Sequence, residues 1–353
     1  MTVVLYRSNL SLTSGAGQLI QTQAEGLTAA GETVRVLCRT GGLKFRLRTG
    51  LRVGRASARS FAALRRADAN VIVDHGMEIP GADVVFVHNL FAEGLRHVDR
   101  DDWRERADRE RCFFGDLRAA ARIVANSRIV QRALVDRIGV RPERITVIHP
   151  GIDSRKFAPA TCRALANKAR RALGVTNGAP LVGFVTSGDF RKRGLDVFLD
   201  AASRIAAARP DVRFLVVGSR RLPDDARRHP LAADRRLLYR PKCTNPEIWF
   251  AALDLFLYPA RFEEYGRVVA EAQAAGLPVL TSRRVGAAEC LPREYDGWVL
   301  DEPDAAEFAD RALALLDDAD TRARLSAAGL ENARKLDQAD YIDASIRMIR
   351  AAR

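Results

Sequence analysis

Cysteine is scarce in this chain and never arranged as a motif. The five residues, at 38, 112, 162, 243 and 290, are scattered without Cys-x-x-Cys spacing. A disulfide scaffold and a thiolate metal cluster are therefore not written into the sequence, and the odd number predicts reduced thiols in a cytosolic setting. Long apolar runs are missing too, since none approaches the roughly 20 residues that span a bilayer. The opening Thr2-Val-Val-Leu-Tyr6 lacks a basic leader and a long apolar core, so it reads as a first strand and not as a signal peptide. Aromatic residues make up only 7% of the chain, and no aromatic platform accompanies its positive charge as nucleic-acid binding would require. Solenoid repeats and low-complexity tails are absent. Acidic residues are outnumbered, 44 against 57 basic, which leaves a net charge of +13. Such a field favours anionic partners, among them nucleotide phosphates, acidic lipid and nucleic acid.

What remains is an ordinary soluble composition, 47% hydrophobic and 29% charged, over 353 residues. That length suits two domains, each able to bury its own core. Short apolar runs alternate with helical stretches, which argues for an α/β protein with parallel sheets. In the first half the pattern predicts strands over 3–6, 34–38, 70–73, 84–88, 123–126 and 146–148. Helices are expected over 17–30, around 56–66, and over 101–120 and 128–138, the last capped by Ser127. A second set of strands is expected over 181–186, 213–217, 236–239, 255–258 and 279–281. The expected organisation is a first Rossmann-like domain over 1–153, a connector over 154–177, a second over 178–337 and a terminal helix over 338–353.

The segment Pro259-Ala-Arg-Phe-Glu263-Glu-Tyr-Gly266-Arg-Val-Val-Ala-Glu271, ending at Gly276-Leu-Pro278, carries the most chemistry. It joins a strand end, an acidic loop, a glycine, a helix and a Gly-x-Pro stop. A helix that starts at a glycine after a strand offers free amides to an anion, usually a phosphate. Glu263 stands ahead of that helix and Glu271 inside it, so they can reach different parts of one ligand. Taken without its flanks, the pair equally describes an amphipathic helix with two solvated acids. Thr186-Ser-Gly-Asp-Phe-Arg191-Lys192-Arg193-Gly194 follows another strand and places three cations at a helix start, where they can offset phosphate charge.

In order and spacing these pieces resemble the Glu-x7-Glu signature and basic loop of family 4 retaining glycosyltransferases, and nearly the whole chain fits. The resemblance implies the GT-B fold: two Rossmann-like domains with parallel sheets facing across a cleft, the terminal helix crossing back to the first. By position, Glu263 would hold hydroxyls of the donor sugar and Glu271 the ribose. The amides around Gly266, Arg267 and Val268 would receive the diphosphate, with Lys192 and Arg193 neutralising it. Arg193 stands where the family usually has lysine, which leaves open which of the two cations contacts phosphate. Gly15 and Gly17, in Ser11-Leu-Thr-Ser-Gly15-Ala-Gly17, resemble the glycine-rich loop that lets donor phosphates approach backbone. That loop is not a full Gly-x-Gly-x-x-Gly, and no acid follows the second strand, which weakens a dinucleotide oxidoreductase reading. His88, at the end of Val84-Val-Phe-Val, resembles the family's histidine near the transferred sugar; a strand-end histidine satisfied by backbone is the other reading. Lys242-Cys-Thr244 falls where the base is seated, mostly through backbone. The Asn126-Ser127 and His149-Pro-Gly-Ile-Asp153 elements are expected to be architectural, and Gly286-Ala-Ala-Glu289 to play a minor part.

The implied function is transfer of a hexose from a nucleotide diphosphate sugar, a UDP-sugar favoured, to a saccharide or lipid-linked saccharide. The motif order looks closest to bacterial enzymes building lipopolysaccharide core or other envelope glycans. No cofactor or essential metal is expected: Asp99-Arg-Asp101 precedes a polar helix and reads as a cap. Residues 43–66 hold Lys44, Arg46, Arg48, Arg52, Arg55, Arg59, Arg65 and Arg66 with no acid, interleaved with apolar side chains. They form either a docking face for an anionic membrane, at the inner face of the cytoplasmic membrane, or an Arg-rich solvated helix. The alternatives are a GT-B nucleotide-sugar epimerase and a nucleic-acid or anionic-lipid binder with a degenerate cleft.

Overall fold

The computed structural model describes residues 2–11, 14–56, 70–98, 100–175 and 178–352. The chain forms two compact units. The first contains residues up to 96, 100–151 and 338–353, and the second 97–99 and 152–337.

The first unit is built on seven parallel strands: β1 (Thr2–Tyr6), β2 (Thr33–Cys38), β3 (Val53–Arg55), β4 (Asn70–Asp74), β5 (Val84–Val87), β6 (Arg122–Ala125) and β7 (Ile145–Val147). Their order is β3-β2-β1-β4-β5-β6-β7, with Tyr6 in register with Leu37 on one side and Asp74 on the other. Because strand side chains alternate, Val4, Ile72, Val85 and Ile123 feed one apolar layer and Val3, Leu5, Val73 and Val124 the other. Both faces being covered explains why these strands read as near-continuous Val, Ile and Leu. The second layer is closed by Leu19, Ile20, Ala24 and Leu27 of the helix Gly15–Ala29 and by Tyr341, Ile346 and Ile349 of the terminal helix Gln338–Arg350. Gln23 Nε2 donates to the Tyr341 hydroxyl at 2.7 Å, a buried polar contact between these helices.

The second unit repeats the plan with β8 (Leu181–Val185), β9 (Arg213–Gly218), β10 (Leu237–Pro241), β11 (Leu255–Tyr258), β12 (Val279–Ser282) and β13 (Val299–Leu300). Its parallel order is β10-β9-β8-β11-β12-β13. An apolar cluster including Phe184, Phe198, Phe214, Phe256, Leu257 and Leu280 fills it. The two sheets thus share one winding, first, second and third strands running outward and the fourth returning to the first strand's free side. That is the doubly wound Rossmann-like order.

Several short elements escape the sequence pattern. The helix Gly42–Thr49, the helix Phe91–Arg96 and strand β3 are too short or too arginine-rich to show a period. Strand β3 is the sheet edge, where Arg52 and Arg55 resist pairing with another chain. The helix expected from 101 begins at Trp103, with Asp102 in the cap position making no side-chain cap. Asp102 is held instead by Arg100 at 3.2 Å, so the capping role expected of Asp99-Arg-Asp101 is not seen for Asp101. Asp99 lies outside the described residues, as does nearly all of the helix expected around 56–66 with Arg59, Phe61, Leu64, Arg65 and Arg66. All five cysteines are free thiols.

Candidate functional site

In a doubly wound sheet the winding reverses between the first and fourth strands, and the loops leaving there part to open a crevice. In the second unit those strands are β8 and β11. Their loops, residues 186–194 and 259–266, carry the basic and acidic clusters found in the sequence.

The two loops are fastened to each other. Gly194, at φ +72°, lies so close to the Pro259 carbonyl that any Cβ would collide with it. Arg261 N donates to the Lys192 carbonyl at 3.0 Å. The basic side chains are thereby delivered onto the acidic loop. Arg193 Nε meets Glu263 Oε2 at 2.7 Å, and its Nη1 donates to the Phe262 carbonyl at 2.9 Å. The Tyr258 hydroxyl donates to the same Glu263 Oε2 at 2.7 Å. Lys192 Nζ pairs with Glu264 Oε1 at 2.6 Å and lies 5.2 Å from the centre of the Phe262 ring.

These groups are nearly dry, Arg193 and Glu263 keeping 12% and 11% of their side-chain surface, so their charges are only weakly screened. Burial works against the Arg193 charge, but Glu263, Tyr258 and Glu264 outweigh it and hold the guanidinium's pKa above its ordinary value. Tyr258 is pushed well up, first by burial and then by the Glu263 charge, which keeps it a hydrogen-bond donor. Glu263 is also fixed through its backbone: its N–H donates to Arg284 O and its carbonyl accepts from Gly286 N, both at 3.0 Å. The Gly286–Cys290 turn therefore braces the acidic loop.

The helix Arg267–Ala274 starts at Gly266, which sits at φ +91° and offers no side-chain cap. Glu271, one turn in, is buried, and Arg267 Nη2 lies 3.8 Å from its Oε1. Burial raises the Glu271 pKa, while Arg267 and Lys156 pull it back. Lys156 in turn meets Glu247 Oε2 at 3.2 Å and donates to the Thr244 carbonyl at 3.0 Å. The lysine that joins this group is thus Lys156 from the connector. Lys242 is exposed, and its backbone N–H donates to Gly218 O.

Lys192, Arg193, Glu263, Gly266, Arg267, Val268 and Glu271 all fall on the two switch-point loops and the helix that follows. Gly15, Gly17 and His88 belong to the first unit, near the carboxyl ends of its strands. A Cβ on Gly17 would strike the Ser11 carbonyl, and its N–H donates to Ser14 Oγ at 3.1 Å, so this glycine serves the turn itself. A Cβ on Gly15 would meet nothing within 4 Å among the described residues. His88, one residue beyond β5, lies with its Nε2 2.9 Å from His75 Nδ1. Asn126 Nδ2 donates to the His88 carbonyl at 3.2 Å, and Ser127 caps the helix Arg128–Ala133, both architectural.

Sequence reasoning did not single out Tyr258, Glu264, Lys156, Glu247 or His75. Tyr258 and Glu264 flank the motif and carried a signal, since a buried acid needs a donor and a buried lysine needs an acid. Lys156, Glu247 and His75 are brought in by topology from distant positions, and no local pattern marks them.

Comparison with known proteins follows the same division. Residues 13–156 match the Glycosyltransferase Family 4 profile and residues 179–318 the Glycosyl transferases group 1 profile, which together take in most of the chain. The D-inositol 3-phosphate glycosyltransferase of Pseudarthrobacter chlorophenolicus is 33% identical over 211 residues, 58% of this chain and 49% of that protein. Its counterpart from Thermomonospora curvata is 32% identical over 233 residues, 62% of this chain and 54% of its own. The matched region thus spans about half the length of these relatives. Among solved structures, WaaG, a glycosyltransferase involved in lipopolysaccharide biosynthesis, superposes with a TM-score of 0.82 at 19% identity, covering 98% of this chain and 99% of its own. Anabaena HepE, solved with UDP and glucose, gives 0.82 at 17% identity, covering 99% of this chain and all of that one. The fold is GT-B.

Proposed function

The chain belongs to the family 4 glycosyltransferases, and from that premise we propose that it transfers a hexose from a nucleotide diphosphate sugar to an acceptor hydroxyl with retention. The observation that carries this reading is the bonding of Glu263. Its Oε2 takes both the Arg193 and the Tyr258 bonds, and in this reading Oε1 accepts from sugar hydroxyls. The neighbouring amides at Gly266, Arg267 and Val268 would take the diphosphate and Glu271 the ribose. As the sugar–phosphate bond breaks, negative charge grows on the leaving phosphate, and Lys192 and Arg193 stand beside it to offset that charge. No carboxylate pair that activates water is needed, because water must be kept out. His88 is assigned to the transferred sugar.

The reading is tested by incubating the protein with α-linked UDP-, GDP- and ADP-hexoses labelled at the anomeric carbon, together with saccharide, lipid-linked saccharide and phosphorylated polyol acceptors, and following the products by NMR. One donor should be consumed, with the α configuration of the donor kept in the first product. A β product, or no consumption of any donor, would contradict it.

We further propose UDP as the nucleotide and an envelope glycan, such as a lipopolysaccharide core, as the acceptor's setting. HepE's bound UDP and WaaG's named pathway support these assignments by likeness of fold. The curated relatives' names favour a second acceptor class, a phosphorylated polyol, which belongs in the same assay. No step is assigned to a metal or cofactor.

The basic face supports docking on an anionic membrane, at the inner leaflet. Among the described residues no helix is long and apolar enough to cross a membrane. On the helix Gly42–Thr49, Phe45 is buried as an anchor while Leu43 and Leu47, one turn apart, are 71% and 75% exposed. Lys44, Arg46 and Arg48 flank them. Two apolar side chains ringed by cations suit a lipid surface, at about 1 kcal/mol per cation near anionic headgroups. Reversing Arg46, Arg48, Arg52 and Arg55 to Glu should abolish capture by vesicles rich in anionic lipid. Undiminished capture would remove this face from the account.

A further inference from the structure

The first unit has a switch point of its own, between β1 and β4, and beside it stand Asp74 and His75. Asp74 ends β4 and is fully buried. Its carboxylate accepts three backbone N–H groups, from Gly76, Glu78 and Ile79, each at 2.7 Å. That hub winds the following loop tightly, with Met77 at φ +55°, the single non-glycine residue with positive φ among the described residues. The loop presents His75. Its backbone is held at both ends, the N–H donating to Tyr6 O at 2.9 Å and the carbonyl accepting from Arg7 Nη1 at 2.8 Å. Its ring stacks on Phe86 with centroids 5.1 Å apart. The His75 and His88 rings lie within 12° of parallel, and His75 Nδ1 is 2.9 Å from His88 Nε2, the geometry of one hydrogen bond.

One proton sits between those two nitrogens, and the far side of His75 decides whose it is. His75 Nε2 is buried and meets no hydrogen-bond partner among the described residues. If His88 owned the shared proton, neutral His75 would have to carry its own on Nε2, burying an N–H with nothing to receive it. Orphaned buried N–H groups are rarer than under-used acceptors. The other arrangement places the proton on His75 Nδ1 and leaves only a lone pair buried. His88 then accepts at Nε2 and carries its own proton on Nδ1. Both rings stay neutral. Burial, then the His88 and Arg7 charges, lower His75 well below the ordinary value, and burial followed by Arg7 lowers His88 to about 3. The charged and titratable groups around the pair are Arg7, Asp74 and Glu78, with Tyr6 bonded to Glu78 at 3.0 Å and Arg39 pairing with it at 3.1 Å.

We infer that His75 is a positioning residue that locks His88 as the neutral Nδ1–H tautomer, making His88 a fixed hydrogen-bond donor and not a base. The inference rests on the assignment of His88 to the transferred sugar. At that place an Nδ1–H can hold a sugar oxygen and cannot take a proton from the acceptor through Nε2, which His75 occupies.

The direct test is a long-range proton–nitrogen correlation spectrum of the 15N-labelled protein at pH 7, its five histidines assigned by single substitution. The expected result is a protonated Nδ1 and bare Nε2 at His88, unchanged from pH 5 to 8. Protonation at His88 Nε2, or titration of His88 near 6.5, would overturn the inference. Kinetics supply the second arm. His75→Phe keeps the stack on Phe86 but removes the donor; it should lower kcat roughly tenfold to a hundredfold, as loss of a ring-orienting partner does elsewhere. The donor KM should move little. His75→Asn can place an N–H where Nδ1 was and should restore most of kcat. A His75→Phe kcat matching the wild type, or a loss that His75→Asn does not restore, would overturn the positioning role. A wild-type protein that turns over no donor would sink the functional reading, while the tautomer at His88 would still decide this one.

Discussion

Glu263→Gln is expected to lower kcat by about 10² to 10³ while leaving nucleotide diphosphate affinity within about threefold. The amide keeps the size and the fold of the loop, but it cannot accept charge-assisted bonds from both Arg193 Nε and the Tyr258 hydroxyl. The group that should hold the sugar would rotate to suit Arg193, and the sugar would lose its fixed acceptor. Nucleotide contacts lie elsewhere, at the helix start and Glu271, so they should survive. Stability should fall as well. Breaking a buried pair costs about 3–5 kcal/mol; here Glu264 Oε2, 3.9 Å from Arg193 Nη1, takes up part of the lost charge, so about 2 kcal/mol is the expected loss in denaturant unfolding. A variant with wild-type kcat would remove Glu263 from the site. One that loses nucleotide binding in proportion to kcat would move it from the sugar to the phosphates.

Glu271→Ala should do the reverse, weakening nucleotide diphosphate binding by about 10- to 100-fold, the worth of hydrogen bonds to a charged acceptor. The stability readout separates this loss from misfolding. Burial holds the folded-state pKa of Glu271 above its ordinary 4.5, so the carboxylate is less welcome in the folded protein than in the unfolded chain. Its contribution to stability is therefore greatest below the ordinary value and is lost as pH rises through the folded value. At pH 7.5 that penalty is present, and alanine removes it. Relief of that penalty offsets part of the lost Arg267 contact and side-chain packing, so the variant should lose less stability than Glu263→Gln. Unchanged nucleotide affinity would dismiss the ribose assignment.

Much of this was legible in the chain. The doubly wound order follows from alternating apolar runs and helical stretches, because strands buried on both faces carry an unbroken signal. Glu263, Gly266, Glu271 and the 191–194 cations were found because a strand, a turn and a helix start occur together within a few residues. What was missed has a common physical cause. Lys156 and Glu247 come to Glu271, and His75 comes to His88, only through crossovers that bring distant residues together, and pairing across a sheet leaves no trace in local spacing. The Gly42–Thr49 helix failed for another reason: its exposed Leu43 and Leu47 break the apolar periodicity that marks a core-facing helix. Lys242 is exposed, and the lysine whose charge reaches Glu271 is Lys156 from the connector.

The central claim is that the second unit's switch point binds a nucleotide diphosphate without help from a metal. The most direct measurement is a calorimetric titration of the purified protein with UDP, GDP and ADP in EDTA, repeated with magnesium. UDP is expected to bind in EDTA with an affinity magnesium changes little. Absence of binding by all three in EDTA, or binding that appears only with magnesium, would contradict it.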